Sequence, residues 1–149
     1  MAYYRKRYGW SINTQEWINW DEYGRARKRN ETKKHYITGL CSCWLPSNYL
    51  MNMTEGIDPA CRLCGETETT DHMFACPGRK KWRHNLYKTL CKCMARHQTA
   101  PAIIKAVLHG LRWHYEADYQ PQTQIEDEHQ HDIGWNHLFR GWIDRSWQT

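Results

Sequence analysis

The residues best suited to chemistry lie in one short run, Cys61-Arg-Leu-Cys64-Gly-Glu-Thr-Glu-Thr-Thr-Asp-His72-Met-Phe-Ala-Cys76, with the pattern C-x2-C-x7-H-x3-C. Three thiols and one imidazole form the donor set that suits zinc. Two Cys separated by two residues let a tight turn present both sulfurs to one ion. Gly65, directly after the second, gives the backbone access to a positive φ. His72 and Cys76 are four apart, which puts them on one face of a helix, and Thr70 or Asp71 suits its N-cap. Four N/S donors complete a closed tetrahedral shell with no open position for a reactive water, so the pattern predicts one structural zinc ion. The alternative is a set of buried or free thiols beside a surface histidine.

This run has little to build a core from. Between Cys61 and Cys76 the apolar residues other than the donors are Leu63, Met73, Phe74 and Ala75. Metal binding by zinc-finger peptides is worth an apparent ~10–16 kcal/mol, which is then folding free energy, so loss of any donor is expected to unfold the segment. Glu66 and Glu68, inside the loop, are expected to be solvated. The other cysteines form two C-x-C pairs, Cys41 with Cys43 and Cys91 with Cys93, on expected helices where such neighbours point to different faces. A second zinc built from all four is one reading. Packed thiols, Cys41 and Cys93 first, is the favoured one, because a free Cys behaves as a small hydrophobe. The start of the chain has basic residues with no apolar run behind them, so it does not read as a secretory signal. Seven cysteines in such a chain point to metal rather than disulfides, and to an intracellular, cytoplasmic or nuclear, protein.

The elements that must position these residues read as mainly α, a small helical domain built around the zinc knuckle. Trp10, Trp17 and Trp20 mark a short aromatic segment over Ser11–Trp20, followed by a helix from about Asp21 to Arg29. Asn30 followed by Glu31 reads as the start of another helix, whose apolar face is Ile37, Leu40, Cys41 and Trp44. Leu45-Pro46-Ser47-Asn48 ends it, and a loop with Gly56 and Pro59 leads to Cys61. Beyond the donors, Trp82, Leu86 and Leu90 repeat every four residues. Pro101 opens the clearest helix, carried by Ile103, Ile104, Val107, Leu108 and Leu111. A polar loop over 117–132 passes into a final helix that buries Ile133, Trp135, Leu138, Phe139, Trp142 and Ile143. The length suits one domain over 1–149, with an N-terminal aromatic and basic region (1–58), the zinc knuckle and a basic helix (59–97), and C-terminal helices (98–149). Nine Trp and nine Tyr against two Phe predict a wet, aromatic core, since both large rings carry a polar tip that needs a partner. No stretch approaches the roughly 20 apolar residues of a membrane span.

Charge is uneven. Residues 77–115 hold nine Lys or Arg and no acid, whereas residues 116–149 hold seven acids against Arg140 and Arg145. Arg79, Lys80, Lys81, Arg83, Lys88, Lys92 and Arg96 are therefore candidates to neutralise nucleic-acid phosphates, with Trp82 and Tyr87 able to stack on unpaired bases. Packing of Trp82 against the zinc helix is the favoured reading of that residue. A solvated charged surface competes with the whole proposal. Contacts of this kind position a chain without reading sequence. Catalysis finds no motif: there is no phosphate-cradling Gly loop, nucleophile elbow or H-E-x-x-H.

Cys61-x2-Cys64-Gly65, Glu68-Thr69, His72 and Cys76-Pro77 together resemble the zinc-binding segment found downstream of the reverse transcriptase in non-LTR retrotransposon proteins. Lys34, Gly39 and Leu45-Pro46 resemble the approach to that segment, and Arg79 with Trp82 the positions after its last Cys. The resemblance covers roughly residues 34–83, and the tail from Gln130 to Trp147 is less specific. Many members of that family place four residues between the His and the last Cys, where this chain has three. No polymerase aspartate pair is present. The resemblance thus implies the C-terminal zinc region without its polymerase: a non-catalytic module that binds RNA or DNA. The competing expectation is a zinc-stabilised interaction domain that docks a protein partner such as a reverse transcriptase polypeptide.

Overall fold

A computed structural model describes residues 2–33, 35, 38, 45–120 and 128–147. The helix face expected from Ile37 to Trp44, both members of the Cys41/Cys43 pair, and the acidic residues Glu126 and Asp127 lie outside the described residues. The protein is mainly helical, as expected, and among the described residues β-structure is limited to two isolated antiparallel bridges, Ile18 with Asp144 and Ala60 with Thr67. In chain order the described α-helices are α1 (Ala2–Tyr8), α2 (Ile12–Trp17), α3 (Trp20–Arg29), α4 (Asn48–Glu55), α5 (His72–Ala75), α6 (Lys80–Arg96), α7 (Pro101–Tyr115) and α8 (Glu128–Ile133). Short 3-10 turns cover Glu31–Lys33, Pro77–Arg79, Trp135–Arg140 and Arg145–Trp147. No described helix is long and apolar enough to cross a membrane.

The chain forms two compact units that do not follow chain order: Met1–Glu31 joins Pro101–Thr149, and Thr32–Ala100 stands as the other. In the first unit, α2 packs on α8, and α7 packs on the 3-10 turn Trp135–Arg140. Side-chain caps set the helix starts: Ser11 Oγ accepts from Thr14 N–H at 3.0 Å, and Asn19 Oδ1 accepts from Glu22 N–H at 3.0 Å. Asn30 closes α3: its backbone N–H and its side-chain amide both donate to the carbonyl of Ala26, which a helix end would leave orphaned. A 3-10 turn does start at Glu31, where the sequence expects a helix to open, and most of that expected helix lies outside the described residues.

The aromatic core is realised in this unit. Trp142, 1 % exposed, is ringed by Tyr4, Tyr8, Trp10, Trp20 and His137 at centroid distances of 5.1 to 6.0 Å. Two polar tips find backbone acceptors, Trp10 Nε1 donating to Ile133 O at 3.1 Å and Trp20 Nε1 to Gln15 O at 2.9 Å, whereas Trp135 Nε1 and Trp142 Nε1 are buried without an acceptor among the described residues. Gln130, fully buried, donates to Trp142 O at 3.3 Å and accepts from Asp144 N–H at 2.9 Å, tying α8 to the last residues described. α7 forms over the expected residues and buries Val107, Gly110, Leu111 and Tyr115. Gly110 is there for space: a Cβ would come within 1.9 Å of the Trp135 ring. The single final helix expected over Ile133–Ile143 is not one helix. Gly134 at φ +101 and Gly141 at φ +78 interrupt the chain, leaving α8 and the Trp135–Arg140 turn. Trp135 and Trp142 are both buried, as expected, but from separate segments.

The second unit contains a helix that the reading as a loop missed. Ser47 Oγ accepts from Leu50 N–H at 3.4 Å to start α4, and Gly56, left-handed at φ 68, closes it. Its N-terminus braces the donor loop: Asn48 Nδ2 donates to Ala60 O at 2.9 Å, and Tyr49 N–H to Glu68 O at 3.1 Å. α6 spans the expected basic segment, but with a rotated inner face. Trp82, the first residue of the expected apolar repeat, is 47 % exposed, and Arg83 and Tyr87 are buried instead.

Candidate metal centre

The loop from Cys61 to Gly65 closes on its own backbone. Gly65 N–H donates to Cys61 O at 2.8 Å, Cys61 N–H donates to Glu66 O, and Gly65 takes the expected positive φ of +82. The Ala60–Thr67 bridge and a bond from Glu68 N–H to Pro59 O at 2.8 Å hold the two arms of this hairpin-like turn together. The chain then enters α5, four residues long. The cap differs from expectation. Asp71 holds the N-cap position without a capping side-chain bond, and Thr69 Oγ1 accepts from His72 N–H at 3.1 Å. Thr69, and not Thr70 or Asp71, thus fixes the first turn on which His72 sits.

These local devices bring Cys61, Cys64, His72 and Cys76 together, with one donor atom from each within 4.8 Å of all the others. Cys61 Sγ and Cys64 Sγ each lie 3.7 Å from Cys76 Sγ, and Cys64 Sγ lies 3.2 Å from His72 Nε2. The sulfurs are not disulfide-bonded: all three cysteines are free. The cluster can therefore hold one metal ion. Cys61 and Cys76 are buried, and Cys64 and His72 are partly covered.

The thiols influence one another strongly. For Cys64 the backbone N–H of Glu66 favours the thiolate, yet desolvation and the neighbouring Cys76 and Cys61 thiols outweigh it and push the group up to about 11. For Cys76 burial opposes ionisation, but hydrogen bonds from Cys64 and Cys61, and from the N–H groups of Gly78 and Arg79, hold it below the ordinary thiol value. A bound divalent ion would favour thiolate at every sulfur it coordinates.

Surrounding charges complete the arrangement. Glu66 Oε2 lies 3.4 Å from His72 Nδ1, so the imidazole turns Nε2 to the thiols and Nδ1 to a carboxylate. A carboxylate on the far ring nitrogen is the arrangement that would orient a histidine ligand. Glu68, expected in solvent, is 8 % exposed and pairs with Arg79 at 2.9 Å. Arg83, expected at phosphate, is 4 % exposed. Its Nη1 donates to the carbonyls of Phe74 at 2.8 Å and Cys76 at 3.0 Å, where α5 ends; the Cys76 carbonyl also accepts from Arg79 N–H. Arg83 is therefore withdrawn from the set of phosphate-binding candidates, and Arg79 is engaged internally. Tyr87, 6 % exposed, cannot stack on a base. No pattern in the sequence distinguishes Arg83 from its basic neighbours, because the inward turn of Tyr87, four residues on, is seen only in the fold.

Lys80, Lys81, Lys88, Lys92 and Arg96 remain exposed. At 3.6 residues per turn, Lys81, Lys88, Lys92 and Arg96 fall within an arc of about 80° and run about 22 Å along the helix. Trp82 stands beside this stripe, its ring 6.0 Å from Phe74 and its surface half open. Cys91 and Cys93 lie on α6 as free thiols, Cys91 partly buried and Cys93 exposed. Neither belongs to a metal-capable group among the described residues.

No family model, curated protein or solved structure matches the chain.

Proposed function

We propose that the cluster holds one structural zinc ion and that the chain is a non-catalytic, zinc-stabilised nucleic-acid-binding module of the retroelement type. The donor set supports zinc over other metals, because three thiolates and one imidazole match a closed structural site. The spacing supports it too. A tetrahedral shell with Zn–S bonds of about 2.3 Å requires sulfurs about 3.8 Å apart, and two of the three Sγ–Sγ distances, those from Cys76, are 3.7 Å. All four positions are taken by protein donors, so the ion would act as scaffold and offer no site for a reactive water.

The observation that carries the nucleic-acid reading is the solvent face of α6, where Lys81, Lys88, Lys92 and Arg96 are aligned and exposed on a helix that holds no Asp or Glu. Such a stripe fits a polyanion: each phosphate neutralised releases counterions and makes affinity fall with salt. Trp82 adds an exposed ring for an unpaired base. The test is binding of the zinc-loaded full chain to single-stranded RNA, single-stranded DNA and duplex DNA across a salt series. With four contacts, log affinity is expected to fall with log salt at a slope of about −3. Changing Lys81, Lys88, Lys92 and Arg96 together to Ala is expected to abolish that slope. Salt-insensitive binding, or a quadruple variant that binds like wild type, would remove the reading.

One set of observations favours a second reading, a protein-docking module with a polymerase-type partner. Tyr49, Met53 and Leu63, all in the Thr32–Ala100 unit, are large apolar side chains left exposed. Interfaces enrich aromatic residues and Met. A chain that ignores nucleic acid but loses partner binding when Tyr49 and Met53 become Ser would favour it.

A further inference from the structure

We infer that Arg83 is the built-in counter-ion of the metal centre, and that through it metal loading controls the attachment of α6 to the donor loop. The inference rests on the proposal that the cluster binds zinc. Arg83 is 4 % exposed, yet its hydrogen-bond acceptors are two neutral carbonyls, those of Phe74 and Cys76. No carboxylate lies within ion-pair distance of it among the described residues, and its Nε is buried without an acceptor. The acids of the loop are engaged elsewhere: Glu68 is paired with Arg79, and Glu66 faces His72 from a largely exposed position.

A guanidinium cannot shed its proton, and a buried cation without an anion is costly. Something next to Arg83 must carry negative charge for this burial to be stable. The candidate is the donor set itself. Three thiolates around one divalent zinc carry a net charge of minus one, and Arg83 donates to the backbone of Cys76, one of the three. The metal-loaded centre would therefore supply the missing anion, with the guanidinium held against the backbone of one of its donor residues. In return Arg83 offsets the excess charge of the centre and holds the carbonyl of a ligand residue in place. It is a positioning residue and touches no metal. Without the ion the donors are no longer tied together, so the Cys76 carbonyl that Arg83 holds and the seating of the first turns of α6 both lose their support.

The experiment compares wild type, Arg83→Lys and Arg83→Met in the full chain. Zinc affinity is measured by competition with a chromogenic chelator, and the cobalt-loaded forms are compared by their thiolate-to-metal absorption. Changes to groups that support metal ligands typically weaken affinity about 10- to 100-fold. Arg83→Met is expected to lose that much and to shift the cobalt absorption, with Arg83→Lys restoring most of both by keeping the charge. Equal losses in Lys and Met would show that the two hydrogen bonds matter and the charge does not, and would overturn the inference. So would undiminished affinity in Arg83→Met. Hydrogen exchange on the wild type gives an independent arm that needs no variant to fold. Removing zinc is expected to expose the amides of residues 80–90 while those of α7 stay protected, and unchanged protection of α6 would overturn the coupling. A wild type that binds neither zinc nor cobalt would fail earlier, at the metal reading, and take this inference with it.

Discussion

The loop from Cys61 to Cys76 and the core around Trp142 solve the same problem with different materials. The loop is polar and short of apolar side chains, so its order depends on four donor atoms gathered within 4.8 Å and on side chains spent behind them. The Trp142 core has no shortage of surface to bury: five rings contact one indole, and Gly110 clears the space in which Trp135 lies. On the zinc proposal, one region is held by a cross-link that a chelator would remove, the other by area that no chelator touches. The difference is that the first should respond all at once to loss of one atom, whereas the second should weaken in proportion to what is cut away.

The largest expected effect is on the loop. Changing Cys61 to Ser, or adding a chelator, should unfold the segment from Cys61 through the start of α6, since zinc binding in comparable peptides is worth an apparent ~10–16 kcal/mol. Amide exchange resolved by NMR checks it, with α7 expected to keep its protection. Collapse of both regions together would break the comparison. A smaller effect is expected in the aromatic core, where Trp142→Ala should cost about 3–5 kcal/mol. Chemical denaturation should show this loss while zinc stoichiometry remains one per chain.

Acid sharpens the contrast further. His137, ringed by aromatic residues, is held neutral, with its ring lowered to about 3 by desolvation first and then by the charges of Arg140 and His114. Arg140 Nη1 lies 2.7 Å from His137 Nδ1, and because a guanidinium can only donate, that nitrogen is the acceptor. Protonation is favoured in the unfolded chain below about pH 6.5 and in the folded one only near pH 3. Stability from this group is therefore complete above about 6.5 and is lost as pH falls from there towards 3, by about 2 kcal/mol at pH 5. His137→Gln should flatten this part of the stability profile of the unit that holds Trp142. An unchanged profile would show that other groups govern the acid response.

Legibility from sequence differed between the two regions for a physical reason. Cys61, Cys64, Gly65, His72 and Cys76 sit within 16 residues, so turn and helix geometry alone brings them near one another. α7 was equally legible, because its apolar repeat and opening proline are local signals. α6 was legible as a helix but not in its orientation: Trp82 began the apparent apolar repeat, yet Arg83 and Tyr87 turned inward. The C-terminal rings were legible as buried, but Gly134 and Gly141 were not read as the breaks they are.

What the amino-acid sequence determined by itself is the chemistry that short-range geometry can gather: a donor set, its positive-φ glycine, the helices on either side and a basic stretch free of acids. What only the tertiary structure decided is which charges that chemistry spends inward. Arg83 and Lys81 are both basic residues on one helix, and nothing local separates them. Arg83 meets the carbonyls that end α5, whereas Lys81 meets solvent. Burial is a property of the segment that arrives opposite a residue, so the same side chain is a phosphate contact or a structural cation according to its neighbour.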